Sequence, residues 1–292
     1  MYEETISILL PVFNSERYLK ETLNSILYNT YNSFELIIVN DGSTDATIDI
    51  IKEYKDKRIF LYNKINSGLI DSLNFGLKKC SHNVIMRMDG DDIILPNKIE
   101  NQLRYFKKSG SILAGTSGYL IDSNGNKRAP IDLPIEHNYI IKSMLKMSSS
   151  FIHPSVMFYK DAVLKVGGYD SNFKHAEDFD LFLRLSKIGK ISNMSERLIY
   201  LRKHENNISL LNAEEQIKNT IISKDIYKHN NDYFINKSTY SKFRQKIENS
   251  FFNRIYIKVH LLIVKVENKN LKKDLFILLF LKVFRKVLKI LV

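Results

Sequence analysis

"TISILLPVFNSERYLKETLNSILYNTYNSFELIIVNDGST" (residues 5–44) decides the fold. Its first segment, 5–12, is a β-branched apolar run of strand length that reaches a proline. The next, 15–29, places Leu19, Leu23, Ile26 and Leu27 at helical spacing, with Ser15 as N-cap. "FELIIVN" (34–40) is a second buried strand, and "DGSTD" follows it. The same alternation continues: a helix through Tyr54, a strand at 58–63, a helix at 67–80 and a strand opening at Val84. Strand and helix alternating at this spacing predict a mostly parallel sheet flanked by helices, an α/β fold.

In such sheets ligands bind beyond the carboxyl ends of the strands. The loops there hold Phe13-Asn14, Asp41 to Asp45, Asn66-Ser67-Gly68 and Asp89 to Asp92. No G-x-G-x-x-G and no P-loop follows the first strand, which argues against a dinucleotide fingerprint and a nucleoside-triphosphate cradle.

Beyond Pro96 the pattern predicts a helix to about Lys108, then a weaker β region with a turn at 122–126. A strand is expected at 151–159 and a turn at "GGYD" (167–170). A helix at 177–189, acidic in its first turn and closed by Gly189, precedes a strand entering the polar loop of "RLIYLRKHENNIS" (197–209). From Glu214 onward the chain reads as helical.

The 292 residues, 44% hydrophobic, suffice for one or two domains with packed cores. The single cysteine, Cys80, excludes an internal disulfide framework and fits a reducing compartment. Early Glu3 and Glu4 do not match a secretory leader. The net charge of +12 is uneven: from Phe251 onward, ten Lys or Arg face only Glu267 and Asp274.

Three constellations can carry chemistry. Asp89, Asp91 and Asp92 crowd around Gly90 at the end of a strand. Such carboxylates repel unless a positive group sits among them, and hard oxygens at this spacing suit magnesium, manganese or calcium rather than zinc or copper. Asp92 has the plainer expectation of capping the helix after Pro96. In "NDGSTDAT" (40–47), Ser43 or Thr44 fits an N-cap for the next helix, while Asp41 is placed to accept a hydrogen bond from a base. In "HAEDFD" (175–180), Glu177, Asp178 and Asp180 are either helix N-terminal acidity or the source of a general base. His153 and His204 stand near strand ends, where a histidine is either structural or a ligand.

Together, "SILLPVFNSERYLKETLNSIL", "ELIIVNDGSTDAT", "NSGLIDSLNFGL", "MRMDGDDIILPNKIENQL", "HPSVMFYKDAVLKVGGYD", "AEDFDLFLRL" and "YLRKHENNIS" resemble, in order, a family 2 glycosyltransferase over residues 5–210. The resemblance implies the GT-A, Rossmann-like fold and inverting transfer of a sugar from a nucleotide diphosphate to a hydroxyl. It implies that Pro11 and Phe13 line the base pocket, that Asp41 accepts from the base, and that Asn66 and Gly68 border the nucleotide. Asp89-Gly90-Asp91 matches the D-x-D motif, so that Asp89, Asp91 and a C-terminal histidine, His204, would hold a divalent cation, Mn2+ or Mg2+, on the donor diphosphate. Asp178 matches the catalytic base, with Glu177 and His153 on the acceptor side. Lys160 departs from the arginine often found there, keeping charge without bidentate geometry.

The expected organisation is a GT-A domain at 1–210, with a nucleotide half at about 1–110 and an acceptor half at about 111–210, followed by a helical, basic C-terminal region at 211–292. In "LFILLFLKVFRKVLKILV" (275–292), Lys282, Arg285, Lys286 and Lys289 form one basic stripe. The apolar run 275–281 is well short of the ~20 residues a membrane span needs. An in-plane helix on an anionic membrane surface fits it, and "FFNRIYIKVHLLIVKV" (251–266) repeats the composition; ordinary packing on the domain or an oligomer contact is the alternative. Aliphatic interleaving argues against nucleic acid. The expected donor is a UDP-hexose or UDP-HexNAc, the acceptor a saccharide carried on lipid in bacterial surface-glycan synthesis, and the location the cytoplasmic face of the cell membrane. A non-catalytic nucleotide-sugar or glycan-binding module and a nucleotidyltransferase are the alternatives weighed.

Overall fold

The structure, a computed structural model, describes residues 4–148, 150–205, 211–229 and 237–268. The first half alternates as β1 (Ile6–Val12), α1 (Leu19–Leu27), β2 (Phe34–Asn40), α2 (Thr47–Glu53), β3 (Ile59–Asn63), α3 (Leu69–Lys79) and β4 (Val84–Arg87). Then come β5 (Ile93–Ile94), α4 (Lys98–Ser109), β6 (Leu113–Ile121), β7 (Lys127–Ile131), α5 (His137–Leu145), a 3-10 turn (His153–Ser155), β8 (Met157–Tyr159) and α6 (Lys160–Lys165). The chain continues through α7 (Glu177–Ser186), β9 (Ile191–Arg202), α8 (Ala213–His229), α9 (Lys237–Asn249) and α10 (Phe251–Asn268). Among the described residues the strands form one sheet, ordered β3-β2-β1-β4-β8-β6-β9-β5, with β7 on β6.

The expected parallel order holds in the first half, where β1 pairs in parallel with β2 and β4, and β2 with β3. The second half is mixed. β8 runs antiparallel to both β4 and β6, β5 antiparallel to β9, and β6 parallel to β9. Side chains alternate across the sheet as strand geometry requires. Ile8, Leu10, Leu36 and Ile38 pack against α1 and α4, whereas Leu9, Ile37 and Val39 pack against α3. A third apolar cluster joins Phe173 to Ile217, Ile221 and Ile222 of α8, Tyr240 of α9 and Tyr256 of α10. The described C-terminal helices therefore pack on the rest of the chain. The stretch 275–292 lies outside the described residues.

Several terminators differ from expectation. Helix α1 starts only at Leu19, and Ser15 contributes its carbonyl to the N–H groups of Tyr18 and Leu19 without side-chain capping. Neither Ser43 nor Thr44 caps α2, whose N-cap is Ala46; Asp45, just before it, accepts from the Thr47 N–H at 3.0 Å. Asp92 does not cap α4, because its carboxylate accepts from the Arg202 N–H, 110 residues away in sequence, at 2.8 Å. The strand expected at 151–159 is reduced to β8 because His153–Ser155 turns. Helix α7 ends at Ser186, and Gly189 serves as a close approach to Ile112.

Gly76 lets α3 lie directly on the sheet: a Cβ there would come within 2.2 Å of Leu9 Cδ1 and 3.0 Å of Val39 Cγ2. Gly76→Ala is expected to destabilise the chain by roughly 1–3 kcal/mol, the usual cost of overpacking a filled core. Chemical denaturation measures it, and a midpoint unchanged from wild type would contradict this packing.

Candidate active site

Strand β4 carries its polar residues to the carboxyl end of the sheet. Arg87, 1% exposed, is the last of its residues, and the acidic turn follows at once. Oxygens of Asp89, Asp91 and Asp92 lie within 4.8 Å of one another. Arg87 Nη1 donates to Asp89 Oδ2, and its charge also acts on Tyr169 and Asp178. Burial raises the Asp89 pKa, Arg87 opposes the rise, and repulsion from Asp91 adds to it. Burial raises Asp92 more strongly, reinforced by the charges of Asp91 and Asp89.

The end of β9 closes over this turn. His204 Nε2 lies 2.9 Å from Asp91 Oδ2. Arg202 Nε donates to the Asp91 carbonyl at 2.9 Å and its Nη2 to Glu21 at 2.8 Å, while its guanidinium lies 4.4 Å from the Tyr18 ring centroid. The Tyr18 and His204 rings stand 5.1 Å apart. The donor set is thus carboxylate oxygen plus one imidazole, at the exposed lip of the cluster. That chemistry fits Mn2+ or Mg2+, with Asp89 and Asp91 partly open and Asp92 occupied by β9.

The opposite wall is α7. Asp178 Oδ1 accepts from the Phe179 N–H at 2.7 Å, leaving Oδ2 directed toward His153, 3.9 Å from its Nδ1. His153 Nε2 lies 3.1 Å from the Tyr169 hydroxyl. Burial, followed by Arg87, pushes His153 well below the ordinary histidine pKa, so the ring is neutral. Burial raises Asp178; its Phe179 bond and Arg87 counter part of that. Burial and then the Asp178 charge push Glu177 up to about 7. Two buried groups support this wall. Lys98 Nζ donates to the Ser155 carbonyl at 3.2 Å beneath the turn that carries His153. Arg184 donates to the carbonyls of Val166 and Gly168, fixing the loop before Tyr169, where Gly167 and Gly168 have φ of +90° and +73°.

At the other end of the same sheet edge, Asp41 is 4% exposed and already engaged. It accepts from Lys64 Nζ at 2.5 Å, from Ser67 N at 3.0 Å and from Gly68 N at 2.8 Å. These bonds outweigh burial, which alone would raise it, and hold Asp41 below the usual carboxylate range. Asp41 thereby shapes the Asn66-Gly68 loop, while Phe13, 49% exposed, stands at the lip.

The model of "Glycosyl transferase family 2" matches residues 7–168. The chain belongs to this family. It is 36% identical to the O-antigen biosynthesis glycosyltransferase WbnJ of Escherichia coli over 209 residues, 69% of this chain and 80% of that protein. It is 30% identical to the amylovoran biosynthesis glycosyltransferase AmsE of Erwinia amylovora, over 74% of this chain and 82% of that one. Its fold matches TarS 1–349 of S. aureus, solved with UDP-GlcNAc, at a TM-score of 0.63 and 18% identity, covering 98% and 89% of the two chains. It also matches the mannosyltransferase PcManGT of Pyrobaculum calidifontis, solved with GDP-Man and Mn2+, at a TM-score of 0.60 and 11% identity, covering 99% and 86%.

Within this glycosyltransferase the structure gathers Asp89, Asp91 and His204 in one group and Glu177, Asp178 and His153 in another, with Arg87 between them. Pro11, Phe13, Asp41, Asn66 and Gly68 lie along the β1–β2–α3 edge. Sequence reasoning overlooked Arg87, Tyr169 and Lys64. The signal for Arg87 was present: a lone cation ending a buried apolar strand, two residues before three carboxylates.

The Glu177 shift fixes a pH dependence. A folded pKa of about 7 above the usual 4.5 means that protonated Glu177 favours the folded state below about pH 4.5. That contribution is lost as pH rises to about 7 and beyond. Glu177→Gln is therefore expected to leave stability unchanged near pH 4 and to raise it by up to about 3 kcal/mol at pH 8. Thermal melts at both pH values test this, and equal shifts at the two would contradict it.

Proposed function

We propose that this glycosyltransferase is a metal-dependent, inverting enzyme that moves a hexose or N-acetylhexosamine from a UDP-linked donor to a hydroxyl of a saccharide acceptor. The observation that carries this reading is that two groups of side chains meet at buried Arg87: Asp89, which it bonds, beside Asp91 and His204, and Asp178, whose charge acts on it and whose Oδ2 is free of hydrogen bonds within α7. The relatives WbnJ and AmsE, named for O-antigen and amylovoran biosynthesis, support a surface-polysaccharide acceptor, which this proposal places on a lipid carrier. Residues 1–210 would form the transferase domain, nucleotide half first, and 211–292 its helical appendix.

Asp91 and His204, with Asp89 beside them, would hold Mn2+ or Mg2+, which when bound neutralises charge building on the diphosphate leaving group. Pro11 and Phe13 flank the base, and the Asn66-Gly68 loop, shaped by Asp41 and Lys64, borders the nucleotide. Asp178 Oδ2 takes the proton of the acceptor hydroxyl as its oxygen attacks the anomeric carbon from the face opposite the leaving group, so an α-linked donor yields a β-linked product. The raised Asp178 pKa makes it a stronger base, and neutral His153 does not compete for its charge. His153 and Glu177 line the acceptor side.

Asp178→Asn is expected to reduce transfer by at least ~100-fold, the usual contribution of a positioned base, while Mn2+-dependent UDP binding persists in calorimetry. Asp91→Ala should lose that metal-dependent binding. Full turnover in the first variant, or unaltered activity of the wild type in excess chelator, would sink these two assignments.

Among the described residues no helix is long and apolar enough to cross a membrane. On α10, Phe252 and Leu262 are exposed at 46% and 49% beside exposed Arg254 and Lys258. That mixture supports peripheral attachment to an anionic bilayer on the cytoplasmic side. The full chain is expected to float with vesicles containing anionic lipid and a chain ending at 250 to stay in solution; equal partitioning of the two would exclude attachment through this region.

A further inference from the structure

The turn that leads into α7 is held by the C-terminal helices. Phe173 is fully buried, not in the sheet core but in the cluster formed by α8, α9 and α10, with its ring edge-on to Tyr240 at 5.3 Å. Next to it, the Lys174 carbonyl accepts from Asn219 Nδ2 at 2.8 Å. Asn219 is fully buried in α8, and its Oδ1 accepts in turn from the Tyr240 hydroxyl at 2.7 Å. The residue that follows, His175, has φ of +69°, a left-handed conformation that a β-carbon disfavours. Such strain persists only where the surroundings over-determine it. Ala176 then closes the turn by donating its N–H to the Phe173 carbonyl at 2.9 Å, and Glu177 and Asp178 open the helix. A turn farther along, Ser223 of α8 lies 3.4 Å from Asp180.

We propose that Asn219, seated by Tyr240, is a positioning residue for sugar transfer: α8 and α9 hold the 173–176 turn in its left-handed conformation and so aim Asp178 into the cleft. This rests on the reading of Asp178 as the base. The two anchors act on successive residues, Phe173 through its side chain and Lys174 through its carbonyl. Neither leaves the turn free to relax His175 into an ordinary conformation. Both anchors lie C-terminal to the segment 7–168 that the family model matches. The base would then be set by a part of the chain outside the shared nucleotide-binding half. A shift of about an ångström at such a site costs up to ~100-fold in rate.

The test uses the full chain with Asn219→Ala and the milder Tyr240→Phe, which removes the bond that seats Asn219 together with the one the Tyr240 hydroxyl accepts from Arg244 at 3.0 Å. Two readouts are taken. The first is amide hydrogen exchange across residues 173–180, which needs no donor. The second is UDP release from UDP-glucose, UDP-galactose, UDP-GlcNAc and UDP-GalNAc with Mn2+. Asn219→Ala is expected to speed exchange at 174–179 by about tenfold or more and to lower kcat about tenfold, with KM for the donor and protection of β1–β4 unchanged. Tyr240→Phe should give a smaller change of the same kind. Adding His175→Gly to Asn219→Ala, which makes the left-handed turn free of strain, should restore part of the lost kcat. Exchange at 174–179 unchanged in both variants overturns the proposal, as does a loss of turnover that only follows a loss of Mn2+-UDP binding. Faster exchange with full turnover in Asp178→Asn would instead leave the brace standing and remove the base assignment.

Discussion

The guanidinium of Arg87 is fully buried at the end of β4 and donates to Asp89. A buried cation is costly unless paired, and so is a cluster of carboxylates. Placed together, each offsets the other. Asp89 contacts Arg87 directly, and Asp178, Tyr169 and His153 all sense its charge. Arg87 Nε has no hydrogen-bond partner among the described residues. The acidic turn is therefore partly neutralised by the protein before any cation arrives. A cation bound as proposed would meet Asp91 and the open side of Asp89 and not three bare charges.

Arg202 solves the same problem from the other half of the chain. Its backbone N–H satisfies Asp92, its Nε the Asp91 carbonyl and its Nη2 Glu21 of α1, while its plane lies against Tyr18. These contacts tie three elements to one residue and bring His204, two positions on, to Asp91. Arg87 and Arg202 thus belong to strands from the two halves of the sheet, and the acidic turn lies where both can reach it. Removing the Arg87 side chain would strip Asp89 of its ion pair, and removing that of Arg202 would free the Asp91 carbonyl and Glu21 while leaving the backbone bond to Asp92, so the geometry and the electrostatics of the lip are one constraint.

The parallel half of the fold is legible in sequence because its information is local. Ile8 and Leu10 alternate with Leu9, and Leu19, Leu23 and Ile26 recur at helical spacing, so each element declares itself. The loops that bear Asp41, Asn66 and Asp89 follow from the strand ends. What is not local was missed or misdrawn: β5 was not expected, and the strand expected at 151–159 shrinks to β8. β5 and β8 are two and three residues long and exist only through pairing with distant strands. Asp92 has the chemistry of a cap, but its partner is 110 residues away and buried burial-to-burial contact decides the contest. Asp41 reads as an open acceptor until Lys64 folds back on it. The basic residues of the C-terminal region draw attention to its outer face, whereas its packing is set by Ile217, Ile221, Ile222 and Tyr256, which meet a single aromatic, Phe173.

Adjacent Glu177 and Asp178 illustrate how environment sorts two similar side chains. They are neighbours on the first turn of α7, each raising the cost of ionising the pair. Glu177 is 6% exposed, and burial holds its proton until about pH 7. Asp178 keeps one oxygen on the Phe179 N–H, feels Arg87 and retains an open face toward His153. Burial raises Asp178, opposed by its Phe179 bond and Arg87, whereas Glu177 is raised by burial and then by the Asp178 charge. Two carboxylates whose surroundings push their proton affinities apart take different roles. In the proposed role, Asp178 Oδ2 on the His153 side would offer the lone pair that an acceptor hydroxyl needs, and the more deeply buried Glu177 would contribute shape.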